Sequence, residues 1–280
     1  MHGGDPYRLV TVGMDQVFPS RWPLMYPATA YVVAIPFTIF GDVVAGSLFL
    51  AIGIFLLAYG STKGTWHRLP MFASFAFTSN VQLAQWSPLM TAMLFLPSLG
   101  FLAAAKPNQA LPILLTSTSR KLWTSAIAGG LLLLAISIAL FPRWPLEWMK
   151  NVGGGAQMQP PIIHFGGFVI LLALLRWRRP EAWLVVLMAC MSASWAWYNL
   201  LILLAAVPRT YREAAMLSLV SSFGALLAIN ILPGPSHPES FPLWWNFQVA
   251  FGYLPAVILI LSRPNEKSRA PWLPPTKRMA

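Results

Sequence analysis

Apolar segments, most of them close to the length that crosses a bilayer, follow one another along almost the whole chain. A spanning helix needs roughly 20 apolar residues, and these segments lack the two-residue alternation of outer-membrane barrel strands. The sequence therefore predicts an all-α, polytopic integral membrane protein with about nine to ten transmembrane or half-membrane helices. The segments lie at about 25–40, 43–59, 69–84, 87–105, 109–118, 122–141, 162–175, 181–207, 214–232 and 244–261.

Charge and composition agree with a membrane protein and argue against several other classes. Hydrophobic residues make up 57% of the 280 residues and charged residues only 10%, whereas soluble domains carry roughly 25% charged residues. The formal net charge of +11 comes from Lys and Arg in the gaps between apolar segments, which is typical of loops that face the cytoplasm. We therefore expect membrane lipids, and no nucleic acid, as partners.

The metal-binding and redox classes have little support in the sequence. The chain has one cysteine, Cys190, so neither an internal disulfide nor a cysteine-based metal site is possible. The four histidines are scattered without the spacing of metal ligands. We expect no metal and no cofactor.

Three regions differ in composition along the chain. Residues 1–23 are polar and contain prolines, and they are expected to lie at the outer face of the membrane. Residues 24–261 form the predicted transmembrane domain, and residues 262–280 form a basic, proline-rich tail that we place in the cytoplasm. No cleavable signal is visible at the start.

The basic residues between segments also predict how the chain is oriented. With residues 262–280 inside, the segment 181–207 must dip into the membrane and return, so that the arginines on either side of it both face the cytoplasm. Residues 142–161 then face outward. Lys63 and Arg68 fit either side, so the orientation of the first helices stays open.

The densest polar group within the apolar region surrounds Lys106. A lysine near the bilayer centre costs at least ~2.5 kcal/mol, and intramembrane ionisable residues are functional-site candidates by default. Lys106 suits an anionic partner such as a lipid phosphate, or its ammonium snorkels to a lipid headgroup. Four prolines between 88 and 112 favour broken helices that line a cavity. The group consists of Gln85, Trp86, Ser87, Lys106, Asn108 and Gln109.

Two further places hold residue types that suit sugar chemistry. The outward segment 142–161 carries Trp144, Trp148 and Asn151 beside a glycine run. Its aromatic rings can stack on a sugar and its polar groups can bond the sugar hydroxyls. An ordinary solvated loop can have the same composition. Asp5 and Asp15 lie in the polar opening. A carboxylate there can act as a general base on a hydroxyl nucleophile, or it serves as a turn or cap residue.

Several short motifs together resemble one enzyme family. In order and spacing they are similar to motifs of bacterial polyprenol-phosphate-dependent membrane glycosyltransferases of the GT-C class, specifically the mannosyltransferase-like GT87 group. The matches are GGDPY at 3–7, YPATAYVVAIPFTIFG at 26–41, Gln85 after Ala84 where the family has "GQ", Lys106 with Pro107 for its "KP", and SASWAWY at 192–198 for its "SPxSWxHY".

The resemblance implies a GT-C-like fold and an activity. Such enzymes transfer a sugar with inversion from a polyprenyl-phosphate carrier to a lipid or glycan acceptor at the outer face of the cytoplasmic membrane. The expected partners are a lipid-linked sugar donor, such an acceptor and membrane lipids, with no cofactor. In that picture Lys106 holds the carrier phosphate. The other donor or substrate contacts are expected from Gln85, Asn108, Asn151, Trp195 and Tyr198.

The chain also departs from the family pattern. The family's first transmembrane helix and its catalytic base belong upstream of GGDPY, where this sequence has only Met1 and His2. Three explanations stay open: a start further upstream, a truncated and inactive protein, or a base supplied by Asp5 or Asp15. A non-catalytic protein that binds or moves a lipid-linked sugar is therefore an alternative function. A small-solute transporter is a third, which the weak internal symmetry disfavours.

Overall fold

The computed structural model describes residues 25–153, 158–194, 197–233 and 240–267. The α-helices are α1 (Ala28–Ala34), α2 (Asp42–Thr62), α3 (Phe75–Gln82), α4 (Ser87–Ala92), α5 (Pro107–Thr116), α6 (Arg120–Leu140), α7 (Trp144–Gly153), α8 (Pro180–Cys190), α9 (Leu201–Ala206), α10 (Tyr211–Ile231), α11 (Phe241–Gln248) and α12 (Leu254–Leu261). Tighter 3₁₀ segments are Ile35–Phe37, Leu69–Ala73, Pro97–Ala104, Pro161–Ile163, Gly167–Arg176 and Tyr198–Leu200. Two short antiparallel strands, β1 (Met158–Gln159) and β2 (Ala193–Ser194), pair with each other.

Four helices among the described residues are long and apolar enough to cross a membrane. They are α2, α6, α10 and the continuous helix Phe241–Leu261, in which a π-helical turn joins α11 to α12. The prediction of an all-helical, multi-pass membrane protein is confirmed to this extent. The count of nine to ten spans is not confirmed, because the other apolar segments form shorter helices. With 11 residues, α8 rises only about 16 Å, half of a bilayer core of roughly 30 Å.

Prolines explain where several of these helices begin. Pro88 lies in the first turn of α4, Pro107 opens α5, and Pro180 opens α8. Proline lacks the N–H of a helix interior and its ring clashes with the preceding turn, but it fits the first helical turn. The chain therefore restarts a helix at each of these positions.

The segment 97–116 turns back inside the membrane-spanning region. Its 3₁₀ part runs along α6, because Gly100 lies against Leu122 while Ala104 lies opposite Gly130, where an added Cβ atom would be 3.8 Å from the Cβ of Ala104. Helix α5 then leads back to the start of α6. Gly130 is the middle residue of α6, so Lys106, at the turn, lies near mid-depth of that span.

The close contact at Gly100 predicts a loss of stability on substitution. A Cβ atom at position 100 would lie 2.4 Å from the Leu122 carbonyl oxygen, and backbone cannot shift as easily as a side chain. We expect Gly100→Ala to lower the unfolding free energy by about 1–3 kcal/mol, measured as the unfolding midpoint in mixed micelles. Gly130→Ala is the matched control, and an equal loss in both variants would contradict this packing.

The segment 181–207 dips and returns as its flanking arginines predict. Glu181 at its start and Arg209 just beyond its end form an ion pair of 2.9 Å, so both ends of the segment lie together. Arg68 belongs to the same end of the protein, because its Nε donates to the Ala205 carbonyl at 3.0 Å. Arg68 therefore lies at the same end of the bundle as Glu181 and Arg209.

A buried charge cluster, the Glu181 cluster, holds this end of the bundle together. It consists of Arg179, Glu181, Arg209, Glu213 and Arg263. The fully buried Oε1 of Glu181 accepts from the guanidinium groups of Arg179, Arg209 and Arg263 at 3.3, 2.9 and 3.4 Å, and Arg263 also reaches Glu213 at 2.8 Å. Burial lowers the pKa of Arg263, and the two carboxylates oppose that shift. The cluster joins α8, α10 and the end of α12.

Candidate functional site

Breaks between helices bring three side chains together around the Lys106 ammonium. Lys106 directly precedes α5, Gln85 lies between α3 and α4, and Tyr198 begins a 3₁₀ turn after β2. Tyr26 lies just before α1. We call these four residues the Lys106 cage.

Hydrogen bonds and ring contacts enclose the ammonium. Lys106 Nζ donates to Gln85 Oε1 at 3.2 Å and to Tyr26 Oη at 3.4 Å, while Tyr26 Oη donates to the same Gln85 oxygen at 2.8 Å. The Tyr198 ring centroid lies 4.5 Å from Nζ and that of Tyr26 lies 5.3 Å away, within the range of cation–π attraction. Lys106 is only 3% exposed. Its ammonium is therefore held inside the protein and does not snorkel to a headgroup.

Charge in the cage is not balanced within the described part of the chain. None of the described carboxylates lies within ion-pair distance of Lys106; Glu181 and Glu213 are engaged by arginines in the Glu181 cluster. The positive end of the α5 dipole lies at the Lys106 backbone, because α5 begins at Pro107 and Lys106 is its N-cap residue. A buried positive charge with only neutral partners favours an anionic ligand.

A row of buried amides continues from the cage into the bundle. Gln109, in the first turn of α5, donates to Ser87 Oγ at 2.8 Å and also to Asn199 Oδ1. Asn80 of α3 donates to the Tyr198 carbonyl at 3.1 Å and so ties two helix breaks together. These bonds fix α3, α4 and α5 against the turn that carries Tyr198.

Some polar atoms next to the cage lack a hydrogen-bond partner in the described part of the protein. They are Trp197 Nε1, Asn199 Nδ2, Asn80 Oδ1 and Gln109 Oε1, all buried. A buried polar group without a partner costs about 1–3 kcal/mol, and a polar ligand or an ordered water that bonds it removes this cost. The region around Lys106 therefore has unused hydrogen-bonding capacity.

Most of the described residues that the sequence analysis named as site candidates lie close together in the structure. Gln85, Lys106 and Tyr198 meet in the cage, and Asn108 Nδ2 donates to the Ser192 carbonyl at 2.7 Å, at the tip of the dipping segment. Asp5, Asp15 and Trp195 lie outside the described residues, so their proposed roles are untested.

The outward segment 142–161, expected from the sequence to be a loop, is helical in its first half. Residues Trp144–Gly153 form α7, because Pro145 suits a first helical turn and good helix formers follow before the glycine run. Asn151 lies on this helix. The helix still borders the site, since Trp148 Nε1 donates to the carbonyl of Met25 at 2.9 Å, one residue before Tyr26.

Sequence reasoning missed three residues near Lys106. Tyr26 was part of a quoted motif without a role, and Asn80 and Asn199 were not singled out. An asparagine inside an apolar segment is the signal that marks the latter two, because a buried amide needs partners. Nothing local distinguishes Tyr26 from an interfacial aromatic anchor.

A cavity also lies elsewhere in the described part of the protein. An apolar groove of about 270 Å³ lies along α11 and the π turn, lined by residues such as Phe165, Phe247 and Phe251, and it shares no lining residue with the cage. Within the described ranges there is no group of three or more His, Cys, Asp or Glu side chains placed to hold a metal ion.

Comparison with known proteins gives no relative for this chain. No family model matches it, and no curated protein or solved structure is significantly similar to it.

Proposed function

We propose that the protein is a membrane glycosyltransferase that takes a sugar from a polyprenyl-phosphate carrier and transfers it to a lipid or glycan acceptor at the outer face of the membrane. The sugar is mannose or another hexose or pentose. The Lys106 cage binds the carrier phosphate. The observation that carries this proposal is the buried ammonium of Lys106 at mid-depth of the bundle, whose partners among the described residues are all neutral.

The cage suits a lipid phosphate for three reasons. An ammonium and a helix N-terminus both attract a phosphate. Helix breaks at membrane depth are tolerated where they line a protein-walled site. The buried donors Trp197 Nε1 and Asn199 Nδ2 have no partner among the described residues, and phosphate and sugar oxygens are acceptors. The sugar-transfer step of the proposal is supported by the resemblance of the sequence motifs, in their order, to those of the GT87 glycosyltransferases.

A second candidate function is binding of a lipid-linked sugar without catalysis. It is favoured by one observation: no described carboxylate lies within ion-pair distance of Lys106 to act as a base near the donor. In the transferase proposal, Asp5 or Asp15, or a residue further upstream, supplies that base. The two functions share the phosphate site and differ only in the carboxylate.

The proposal includes a location and a fuller count of membrane segments. We place the protein in the cytoplasmic membrane, where polyprenyl-phosphate sugars are used, with a GT-C-like arrangement. The half-length helices such as α5 and α8 then complete the nine to ten transmembrane or half-membrane segments.

A transfer assay tests the proposal. Purified protein in liposomes is supplied with radiolabelled polyprenyl-phosphate mannose, or the hexose and pentose analogues, together with lipid extract from the native membrane. We expect label to move from the carrier to a new lipid or glycan. Donor binding without transfer would favour the binding protein, and absence of both would contradict the proposal.

A further inference from the structure

Two strained turns of the backbone flank the Lys106 cage. Among the described residues, Ala84 with φ of 45° and Trp197 with φ of 66° are the only non-glycine residues in the left-handed region. This conformation places Cβ too close to the following carbonyl and is rare outside glycine, asparagine and aspartate. Such outliers persist only where the surrounding structure holds them, and they concentrate at functional sites.

Each strained residue immediately precedes a residue that touches Lys106. Ala84 precedes Gln85, whose Oε1 accepts from both the ammonium and Tyr26. Trp197 precedes Tyr198, whose ring lies against the same ammonium. The Asn80 bond to the Tyr198 carbonyl, at 3.1 Å, links the two turns.

We infer that Ala84 and Trp197 are positioning residues: their left-handed backbones aim Gln85 and Tyr198 at the Lys106 ammonium. A right-handed residue at position 84 would let α3 run on by another turn and carry Gln85 away from Lys106. Gln85 Oε1 then holds, in the ligand-free protein, the place on the ammonium that a phosphate oxygen takes. This inference deepens the proposed function and rests on it for the identity of the ligand.

Position 84 allows a clean test, because its side chain is exposed and a substitution acts through the backbone. Valine is β-branched and raises the cost of the left-handed conformation, whereas glycine adopts it freely. The readout is the rate at which an amine-reactive ester modifies Lys106 in micelles, resolved by peptide mass mapping. The exposed Lys150 provides an internal reference, and Gln82→Val, exposed on the last turn of α3, is the matched control.

We expect Ala84→Val to speed modification of Lys106 by about tenfold relative to Lys150, while Ala84→Gly and Gln82→Val leave the ratio within about twofold of the unmodified protein. An unchanged ratio in Ala84→Val would overturn the inference. If Ala84→Val does not fold, the melting temperature of Ala84→Gly tests the inference instead. Relief of backbone strain is expected to raise the melting temperature. A decrease, as glycine causes at an ordinary position, would contradict the inference.

Binding of a polyprenyl phosphate separates this inference from the proposed function. If both hold, Ala84→Val weakens binding by about tenfold and Ala84→Gly does not. If the modification rate shifts as expected but no variant or unmodified protein binds the phosphate, the positioning role stands and the proposed ligand is wrong.

Discussion

Replacing Lys106 with methionine is expected to weaken binding of a polyprenyl phosphate by about 100-fold, the usual scale for removing one partner of a buried charge pair. Methionine keeps much of the side-chain volume and removes the charge. The measurement is the dissociation constant for the carrier phosphate in nanodiscs, with the exposed Lys150→Met as the matched control. Unchanged binding in Lys106→Met would defeat the assignment.

The same substitution is expected to leave the fold intact, which separates a binding role from a structural one. Without the ammonium, Tyr26 and Gln85 still bond each other at 2.8 Å, so no buried charge is left without a partner. A buried lysine with only neutral partners costs stability. We therefore expect the unfolding midpoint of Lys106→Met in mixed micelles to equal or exceed that of the unmodified protein. A large decrease would indicate that Lys106 is structural.

Replacing Glu181 with glutamine is expected to have the opposite effect to Lys106→Met: it lowers stability and leaves phosphate affinity unchanged. The change leaves the guanidinium groups of Arg179, Arg209 and Arg263 close together, with Glu213 as the remaining carboxylate of the Glu181 cluster. Breaking a buried ion pair from one side costs about 3–5 kcal/mol. We expect a loss of that size in unfolding free energy, with retained phosphate affinity in the fraction that remains folded.

Two further variants make the Glu181 prediction specific. Glu266→Gln removes an exposed carboxylate and is expected to change stability by less than about 0.5 kcal/mol. Adding Arg209→Gln to Glu181→Gln removes one of the unbalanced positive charges and is expected to recover part of the loss, as coupled neighbours do in a double-mutant cycle. If the stability losses of Glu181→Gln and Arg209→Gln were fully additive, the two residues would not be coupled and the Glu181 cluster would be contradicted.

The sequence predicted the parts of the fold that leave a strong one-dimensional pattern. Continuous apolar length predicted a multi-pass helical protein, and the arginines around 181–207 predicted that this segment dips and returns, as the Glu181 to Arg209 pair shows. The number of spans was harder to predict, because prolines divide apolar runs into helices whose lengths depend on their neighbours. The helix Trp144–Gly153 is short and lies beside a glycine run, so its sequence resembles that of a loop.

The site was predictable only in part, for a physical reason. Lys106 and Gln85 stand out because charged and amide groups are costly within an apolar region. Tyr26 contributes through a contact 80 residues away in the chain, which no local pattern reports. The left-handed Ala84 was equally hidden: the resemblance only marked it as a departure from glycine, and the structure supplies the positive φ that explains why glycine suits that position.

Phosphate-dependent binding tests the central claim most directly. The measurement is the ratio of the dissociation constants of a polyprenyl phosphate and of the corresponding polyprenol, which lacks the phosphate, for the unmodified protein and for Lys106→Met. We predict a preference of about 100-fold for the phosphate in the unmodified protein, reduced to near equality in Lys106→Met. Equal affinity for both lipids in the unmodified protein would contradict an anion site at Lys106.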